Sequence, residues 1–296
     1  MAEPARPAVG FVGLGRMGLP MAGRLVAAGF DVRGADLAES RRAAFAGAGG
    51  AAFADPRAAA EGTAVLVTML PDAGVVADAL VGTGAAADAL AAGALVVDMS
   101  SSAPLRTRAL GDRLAGRGIA LIDAPVSGGV PRAVDGTLAI MAGGEARDID
   151  RAQPLFDCMG TVFRTGPLGS GHAMKALNNY VSAAGLVAAC EALRVARAFG
   201  LEPETAVDVL NSSTGRNNST ERKLKPFVLP RNYASGFSMA LMAKDIRTAA
   251  DLAASLGLAL DDIERAAALW EQASRSLGPD ADHTAIDRYL AGWEPQ

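Results

Sequence analysis

Several residue types are scarce in this chain of 296 residues, and their scarcity excludes certain kinds of site. The two cysteines, Cys158 and Cys190, lie far apart in unrelated contexts. We expect both to be reduced, buried thiols of a cytoplasmic protein. The two histidines, His172 and His283, belong to no cluster of Cys, His and Asp with metal-ligand spacing, so no metal site is expected.

Long hydrophobic runs and an excess of basic residues are also missing. No stretch approaches the roughly 18 consecutive apolar residues of a membrane-spanning helix, so no membrane partner is expected. The N-terminus lacks the basic region, apolar core and cleavage site of a signal peptide and continues directly into a strand-like segment, so no signal peptide is expected. With 28 basic against 32 acidic residues, the net charge near −4 argues against nucleic acid as a partner.

What the chain does contain is enough apolar sequence for a large core, and its length favours two domains. In the first half, continuous apolar runs alternate with helix-prone segments, which predicts a parallel sheet covered on both faces. Right-handed crossovers then give a doubly wound, Rossmann-type α/β domain. The predicted strands are 8–15, 31–36, 64–70, 94–100 and 119–127, with edge additions at 137–144 and 162–167, and the predicted helices include 39–47, 73–80, 104–116 and 146–158.

After Pro167 the strand signal stops, and the second half is predicted to be all-helical. A helix at about 170–198 is apolar on nearly every side, so we expect it to be buried between domains or subunits, as in a homodimer or homotetramer. Further helices are predicted at 238–256, 261–276 and 283–291.

A glycine-rich turn follows the first predicted strand and opens the first helix. Gly13, Gly15 and Gly18 form the pattern G-x-G-x-x-G, in which the glycines allow a tight turn, approach of a pyrophosphate and close packing of helix on strand. The helix N-terminus attracts the anion. A turn without a ligand is the alternative. The residues predicted to bind a dinucleotide here are Gly13, Leu14, Gly15, Arg16, Met17 and Gly18.

Asp36, at the end of the second predicted strand, is the candidate for choosing the cofactor. A carboxylate at this position can accept both ribose hydroxyls of NAD and repels the 2′-phosphate of NADP. Its alternative role is to cap the helix at 39–47. Because Arg33, Arg41 and Arg42 are near enough in sequence to bind a phosphate, NAD is predicted and NADP stays possible.

The segment GSGHAMKALNN (169–179) places Lys175 in apolar, helix-prone sequence, with Asn179 four residues later on the same face. Apolar surroundings disfavour a charged lysine and can bring its pKa towards working pH, as a general acid or base requires. The alternative is a lysine whose stem lies along the helix while its ammonium reaches solvent. From the residues alone, the two readings are equally good.

The segment SGG (127–129) lies where a strand of the predicted sheet ends, the edge at which open α/β sheets bind ligands. The exposed amides of Gly128 and Gly129, together with the hydroxyl of Ser127, can hold a carboxylate. A simple turn is the alternative.

Four segments, in order, resemble the β-hydroxyacid dehydrogenase family, which includes 3-hydroxyisobutyrate dehydrogenase and tartronate semialdehyde reductase. The resemblance runs nearly end to end. It rests on GFVGLGRMGLPMA (10–22), DAPVSGGVPRAVDGTL (123–138), GSGHAMKALNN (169–179) and MAKDI (242–246). It implies an NAD(P)-binding Rossmann domain at residues 1–167 and an all-helical domain for substrate and dimerisation at 168–296.

The resemblance also implies roles for individual residues. Lys175 would exchange the substrate's hydroxyl proton with Asn179 beside it, and Ser127, Gly128 and Gly129 would bind the carboxylate. Lys244, with Asp245, would approach the nicotinamide and substrate; otherwise it is an ordinary solvated lysine. Where Ser101 stands, the family usually has threonine. Cofactor contacts are expected from Thr68, Met69, Leu70, Pro71, Ser100, Ser101, Phe237 and Lys244.

The expected function is transfer of a hydride between NAD and the hydroxyl-bearing carbon of a small β-hydroxy acid, as in 3-hydroxyisobutyrate dehydrogenase. Tartronate semialdehyde reductase, or a related aldehyde-acid reductase, is the alternative within the family. Imine reductases share the architecture but generally lack the lysine that stands at 175. A non-catalytic dinucleotide-binding protein would not need Ser127, Lys175 and Asn179. His172 is interpreted as structural, and Arg216 as a partner of the substrate carboxylate or a surface arginine.

Overall fold

The computed structural model describes residues 8–292, and the chain divides into two compact units between Lys175 and Ala176. Residues 1–7, on which the expected absence of a signal peptide partly rests, lie outside the described residues, as do residues 293–296. The expected domain boundary at 167/168 stays a prediction. Every helix among the described residues is too short or too polar to cross a membrane.

The described part of the first unit contains a sheet of nine strands. Its order is β3-β2-β1-β4-β5-β6-β8-β7, with β9 beside β8. The pairs from β3 to β6 are parallel, β8 is antiparallel to β6 and β7, and β9 is parallel to β8. The strands are β1 (Val9–Val12), β2 (Val32–Ala35), β3 (Ala51–Phe53), β4 (Val65–Thr68), β5 (Leu95–Asp98), β6 (Ala120–Asp123), β7 (Val126–Ser127), β8 (Leu138–Gly143) and β9 (Gly160–Gly166).

Helices cover both faces of this sheet, as predicted. Successive side chains of a strand point to opposite faces, and accordingly Phe11 and Val67 belong to one core cluster while Val12 and Leu66 belong to another. All four are buried because the central strands are covered on both sides. The helices of this unit are α1 (Gly18–Ala27), α2 (Glu39–Gly47), α3 (Pro56–Ala60), α4 (Ala73–Val81), α5 (Pro104–Ala115), α6 (Gly129–Asp135) and α7 (Ala146–Phe156).

Two details of the sheet differ from the sequence-based prediction. The strand predicted at 119–127 is interrupted after Asp123, because Pro125 has no N–H to donate to a neighbouring strand. The short elements β3 and α3 were not predicted, since alanine-rich segments of three and five residues carry no periodic signal. The side chain of Asp55 nevertheless accepts a hydrogen bond from the amide of Arg57 and caps α3.

The second unit is helical, as predicted, and shares the long helix α8 with the first. Its core contains Met239, Met242 and Ile246 of α11 (Met239–Ser255), together with Trp270 of α12 (Asp261–Leu277). Its helices are α8 (Ser170–Phe199), α9 (Pro203–Ser212), α10 (Asn218–Arg222), α11 (Met239–Ser255), α12 (Asp261–Leu277) and α13 (Ile286–Leu290), with a π-helical turn at Leu224–Val228 and a 3-10 turn at His283–Ala285.

Helix α8 is not buried all round in the single chain. Val181, Val195 and Phe199 are 67%, 70% and 83% exposed, respectively. The expected homodimer or homotetramer stays a prediction.

The two cysteines differ in how deeply they are buried. Cys190 is buried, and burial raises the pKa of its thiol to about 12. Cys158, expected to be buried, is partly exposed because it lies in the turn between α7 and the outlying strand β9.

Candidate active site

The glycine-rich turn joins β1 to α1 with backbone geometry that only glycine adopts easily. Gly13 has a φ of 100°. A Cβ added at Gly18 would lie 1.8 Å from the carbonyl oxygen of Gly13, so the missing side chain allows α1 to start directly against the strand. A Cβ added at Gly15, by contrast, would meet only Nη1 of Arg41, at 3.8 Å, among the described residues. The turn therefore has open space beside Gly15 and fits a pyrophosphate.

Asp36 follows β2 directly and is linked to this turn. Its Oδ2 accepts a hydrogen bond of 2.9 Å from the amide of Leu14, and its Oδ1 accepts one of 2.9 Å from the amide of Ala38, just before α2. The carboxylate thus ties the glycine-rich turn to the residue before α2, but α2 itself has no side-chain cap, so the alternative capping role of Asp36 is not borne out. Nη1 of Arg41 lies 3.4 Å from Oδ2, while Arg42 donates to the backbone carbonyl of Asp36.

The segments after β4 and β5 are tied to each other through buried hydroxyls. Thr68 Oγ1 donates to Oδ1 of Asp98 at 2.9 Å, and the amide of Leu70 donates to Oγ of Ser100 at 2.9 Å. Thr68 and Ser100 are fully buried, so their side chains hold these segments together and present no surface to a cofactor. Of the expected cofactor contacts in these two segments, Met69, Leu70, Pro71 and Ser101 are exposed or partly exposed.

Ser127 ends β7, and the two glycines after it begin α6. Gly128 has a φ of 134° and Gly129 a φ of 68°, both unfavourable for residues with side chains. Both glycines are exposed, and Ser127 is partly exposed. Amides without side chains at the start of a helix, beside a hydroxyl, form a surface suited to a carboxylate.

Lys175 and Asn179 lie one turn apart on α8. Lys175 is partly buried, whereas Asn179 is 7% exposed. Nδ2 of Asn179 donates a hydrogen bond of 2.6 Å to Oδ2 of Asp245 on α11, and Nδ2 of Asn178 donates one of 3.1 Å to Oδ1 of Asn179. Because a carboxylate can only accept, these two bonds define which way the amide of Asn179 faces.

Asp245 also holds Lys244. Its Oδ1 lies 3.1 Å from Nζ of Lys244, and the side chain of Asp245 is 3% exposed. The structure therefore brings Asn179, Lys244 and Asp245 together in the second unit. The sequence marked all three as candidates but gave no sign that a single carboxylate binds the other two.

Phe237 and Arg216 have contacts of different kinds. Phe237, before α11, accepts a hydrogen bond of 2.8 Å at its carbonyl from the amide of His283, and the two rings meet edge to face at 5.6 Å. Arg216 is exposed, with Nε 3.5 Å from a carboxylate oxygen of Glu221. This geometry is that of a surface arginine and gives no support to binding of a substrate carboxylate.

Asp123 is a buried residue that no sequence pattern marked as a candidate. Its Oδ1 accepts from the amide of Gly169 and its Oδ2 from the amide of His172, both at 2.7 Å, so it caps the start of α8. Burial raises the pKa of Asp123, although His172 and these amide bonds oppose the shift. The available signal was an acid at the end of an apolar strand, which alone does not reveal a partner 46 residues away.

Two family models match most of the chain. The model for the NAD binding domain of 6-phosphogluconate dehydrogenase matches residues 8–167. The model described as NAD-binding of NADP-dependent 3-hydroxyisobutyrate dehydrogenase matches residues 169–290.

Individual relatives cover nearly the same span. The chain is 33% identical over 285 residues to 2-(hydroxymethyl)glutarate dehydrogenase of Eubacterium barkeri, covering 89% of this chain and 95% of the relative. It is 35% identical over 252 residues to NAD-dependent L-serine dehydrogenase of Pseudomonas aeruginosa, covering 83% and 85%.

Solved structures of other proteins are also similar to this chain. A 3-hydroxyisobutyrate dehydrogenase of Mycobacterium tuberculosis, solved with L-serine, is 32% identical with a TM-score of 0.88, covering 96% of this chain and 99% of that one. An imine reductase of Myxococcus stipitatus is 17% identical with a TM-score of 0.65, and this more distant likeness shows a shared fold alone.

Proposed function

The chain belongs to the β-hydroxyacid dehydrogenase family, and from that premise we propose that it is an NAD-dependent dehydrogenase of a small β-hydroxy acid, most like 3-hydroxyisobutyrate dehydrogenase. The observation that carries the proposal is the hydrogen bond from Asn179, one turn beyond Lys175, to the buried carboxylate of Asp245, which also pairs with Lys244. A protein that only binds a dinucleotide has no need of such an arrangement.

The cofactor is NAD, with NADP possible, and when bound it supplies the nicotinamide that accepts or returns the hydride. The open space beside Gly15 suits a pyrophosphate, and the carboxylate of Asp36 suits the hydroxyls of a ribose. The residues proposed to hold the cofactor are Gly13, Leu14, Gly15, Arg16, Met17, Gly18, Asp36, Met69, Leu70, Pro71, Ser101, Phe237 and Lys244.

The chain's own residues bind the acid and handle one proton. The hydroxyl of Ser127 and the amides of Gly128 and Gly129 hold the substrate's carboxylate. Nζ of Lys175 takes the hydroxyl proton during oxidation and returns it during reduction. Asn179 orients the reacting oxygen, and Lys244, held by Asp245, supports the same group.

The substrate class is a 3-hydroxypropanoate that carries a substituent on its second carbon. The compounds in the names of three relatives, 2-(hydroxymethyl)glutarate, L-serine and 3-hydroxyisobutyrate, all have a hydroxymethyl group on the carbon next to a carboxylate. Oxidation of such a group gives an aldehyde acid. Reduction of tartronate semialdehyde runs the same chemistry in reverse and is the second candidate.

In this proposal residues 1–167 form the NAD(P)-binding domain, and residues 168–296 form the helical domain for further substrate contacts and for subunit contacts in a cytoplasmic homodimer or homotetramer. The exposed apolar side chains of Val181, Val195 and Phe199 on α8 support the oligomer, because single chains rarely expose a row of large apolar residues. Light scattering on the purified protein would measure its mass.

The deciding experiment follows NADH formation with a panel of acids: 3-hydroxyisobutyrate, L-serine, 2-(hydroxymethyl)glutarate, glycerate and threonate. We expect turnover with at least one of them. Lys175→Ala should abolish turnover and leave NAD affinity, measured by fluorescence titration, unchanged. The matched control is Lys225→Ala, which removes an exposed lysine that pairs with Asp208. Turnover retained by the Lys175 variant, or NAD binding without oxidation of any acid, would overturn the proposal.

A further inference from the structure

His172 lies in the first turn of α8 and is fully enclosed, with a side chain that is 0% exposed. Both of its ring nitrogens have partners. Nδ1 lies 2.8 Å from Oγ1 of Thr107 on α5, and Nε2 lies 3.1 Å from the backbone carbonyl oxygen of Ser100. Since a carbonyl can only accept, Nε2 carries a proton and donates it to Ser100. The proposed chemistry assigns no part to this histidine.

Ser100 connects His172 to the segments assigned to the cofactor. The hydroxyl of Ser100 accepts from the amide of Leu70, and its own amide donates to Asp98 at 3.0 Å. The carbonyl of Ser100, to which His172 donates, immediately precedes Ser101. One histidine proton therefore fixes the loop that follows β5, and through Leu70 the loop that follows β4.

His172 links this loop to the start of α8, three residues before Lys175. The amide of His172 donates to the buried carboxylate of Asp123 at 2.7 Å. A Cβ added at the neighbouring Gly171 would lie 2.1 Å from the carbonyl oxygen of Met141, so the helix begins in direct contact with β8. The backbone of His172 is thus anchored to the sheet, while its ring reaches the Ser100 loop.

We propose that His172 is a positioning residue that sets the distance between the Ser100–Ser101 loop and the first turn of α8, and thereby the alignment of Lys175. This inference rests on the proposed function. Small displacements of reacting groups are costly, and a shift of about 1 Å can reduce a rate roughly 100-fold. The rigidity of the link follows from its burial and from both ring nitrogens being bonded.

Two amide variants test the link without removing polarity from the buried position. In His172→Gln, the longer side chain can place its amide NH2 near the position of Nε2 and donate to the carbonyl of Ser100. In His172→Asn, the shorter side chain ends near the position of Nδ1 and can meet only Thr107. We expect the Gln variant to keep kcat and KM for NAD within a few-fold of wild type. The Asn variant should lose about 100-fold in kcat and also bind NAD more weakly, because Leu70 and Ser101 lie in the loosened segments.

A third variant, Thr107→Val, is the control for general loosening of this buried region. It removes the contact at Nδ1 and leaves the bond from Nε2 to Ser100. We expect it to lower the melting temperature as much as His172→Asn does while keeping kcat near wild type. Equal kcat in the Asn and Gln variants, or an equal loss of kcat in Thr107→Val, would overturn the inference.

Amide hydrogen exchange provides a readout that does not depend on activity. In His172→Asn we expect faster exchange at residues 98–103 and at Leu70, with β1 and α11 unchanged. Unchanged exchange in the loop would refute the link even if the enzyme is slow. A wild-type protein that oxidises no acid would refute the proposed function, and exchange would still decide whether His172 holds the loop.

Discussion

Asn179 donates its side-chain amide proton to Asp245 across 2.6 Å, and the same carboxylate lies 3.1 Å from the ammonium of Lys244. One buried acid thereby orients two polar groups that lie 65 residues apart in sequence. A carboxylate buried to this degree is stable as a charge only when it is paired and hydrogen-bonded, and these two contacts meet that requirement.

Replacing Asp245 by asparagine should preserve the shape of the site and remove the charge that holds Lys244. We expect kcat/KM to fall about 10- to 100-fold, because the hydrogen bonds and the ion pair that orient Asn179 and Lys244 weaken together. Steady-state kinetics with the best acid of the panel measures this. The control is Asp251→Asn on the same helix. The side chain of Asp251 is 69% exposed, and its Oδ1 makes a long contact of 3.7 Å with Nη1 of Arg247. Equal losses in the two variants would contradict a specific role for Asp245.

The glycine-rich turn gives a second prediction, in which two glycines of α1 behave in opposite ways. Gly18→Ala places a methyl 1.8 Å from the backbone of Gly13, so strand and helix must separate. We expect NAD affinity to fall at least about 10-fold and the free energy of unfolding to drop by about 2 kcal/mol or more.

Gly23→Ala is the matched control. Among the described residues, and apart from its chain neighbours and its own helix, no atom lies within 4 Å of a Cβ added at Gly23. Alanine there should keep NAD affinity and stabilise the protein by about 0.5–1 kcal/mol, because it restricts the unfolded chain and favours the helix. A loss of NAD binding in both variants would show that the turn has no special sensitivity at Gly18.

Asp36 gives a prediction about the choice of cofactor. Wild type should have a higher kcat/KM with NAD than with NADP, since a carboxylate repels a 2′-phosphate. Asp36→Asn removes that charge and leaves Arg41 beside the site, so the NAD-to-NADP ratio of kcat/KM should fall by about 10-fold or more. Asp31→Asn, an exposed acid before β2, should leave the ratio unchanged. A wild-type preference for NADP would contradict this account of Asp36.

Much of the fold could be predicted because its main strands and the glycine-rich turn have clear local sequence patterns. Continuous apolar runs mark β1, β4 and β5, and the glycines at 13, 15 and 18 obey steric rules that act over a few residues. The break at Pro125 was readable in principle from its missing N–H. The element β3 was not, since Ala51–Phe53 has neither length nor alternation.

The candidate site could be predicted only as a set of separate residues. Lys175 and Asn179 share a helical face, which spacing alone reveals. The pairing of Asn179 with Asp245 joins residues 66 positions apart, and the bond from His172 to Ser100 joins residues 72 apart. Such contacts depend on how helices pack against strands, and no periodicity in one segment carries that information.

Lys223 gives a prediction about the dependence of stability on pH. Its ammonium donates to Oγ of Ser182 at 3.2 Å, and burial lowers its pKa from 10.5 to about 8. Between these two values the unfolded chain binds more protons than the folded one, so this residue makes stability rise with pH. Below about pH 8 the buried charge is a penalty. Lys223→Met should therefore be more stable than wild type at pH 7, by about 2 kcal/mol.

The difference in the free energy of unfolding between Lys223→Met and wild type should shrink towards pH 10, where Lys223 of the folded wild type has lost its charge. Urea unfolding at pH 7 and pH 10 measures both differences. Lys225 is 43% exposed and paired with Asp208, so the difference in stability between Lys225→Met and wild type should not shrink between pH 7 and pH 10. The same substitution at 223 should also raise the pKa of His283, now about 4, because burial and the Lys223 charge both lower it. An advantage that stays constant from pH 7 to 10 would mean that Lys223 keeps an ordinary pKa in the folded protein.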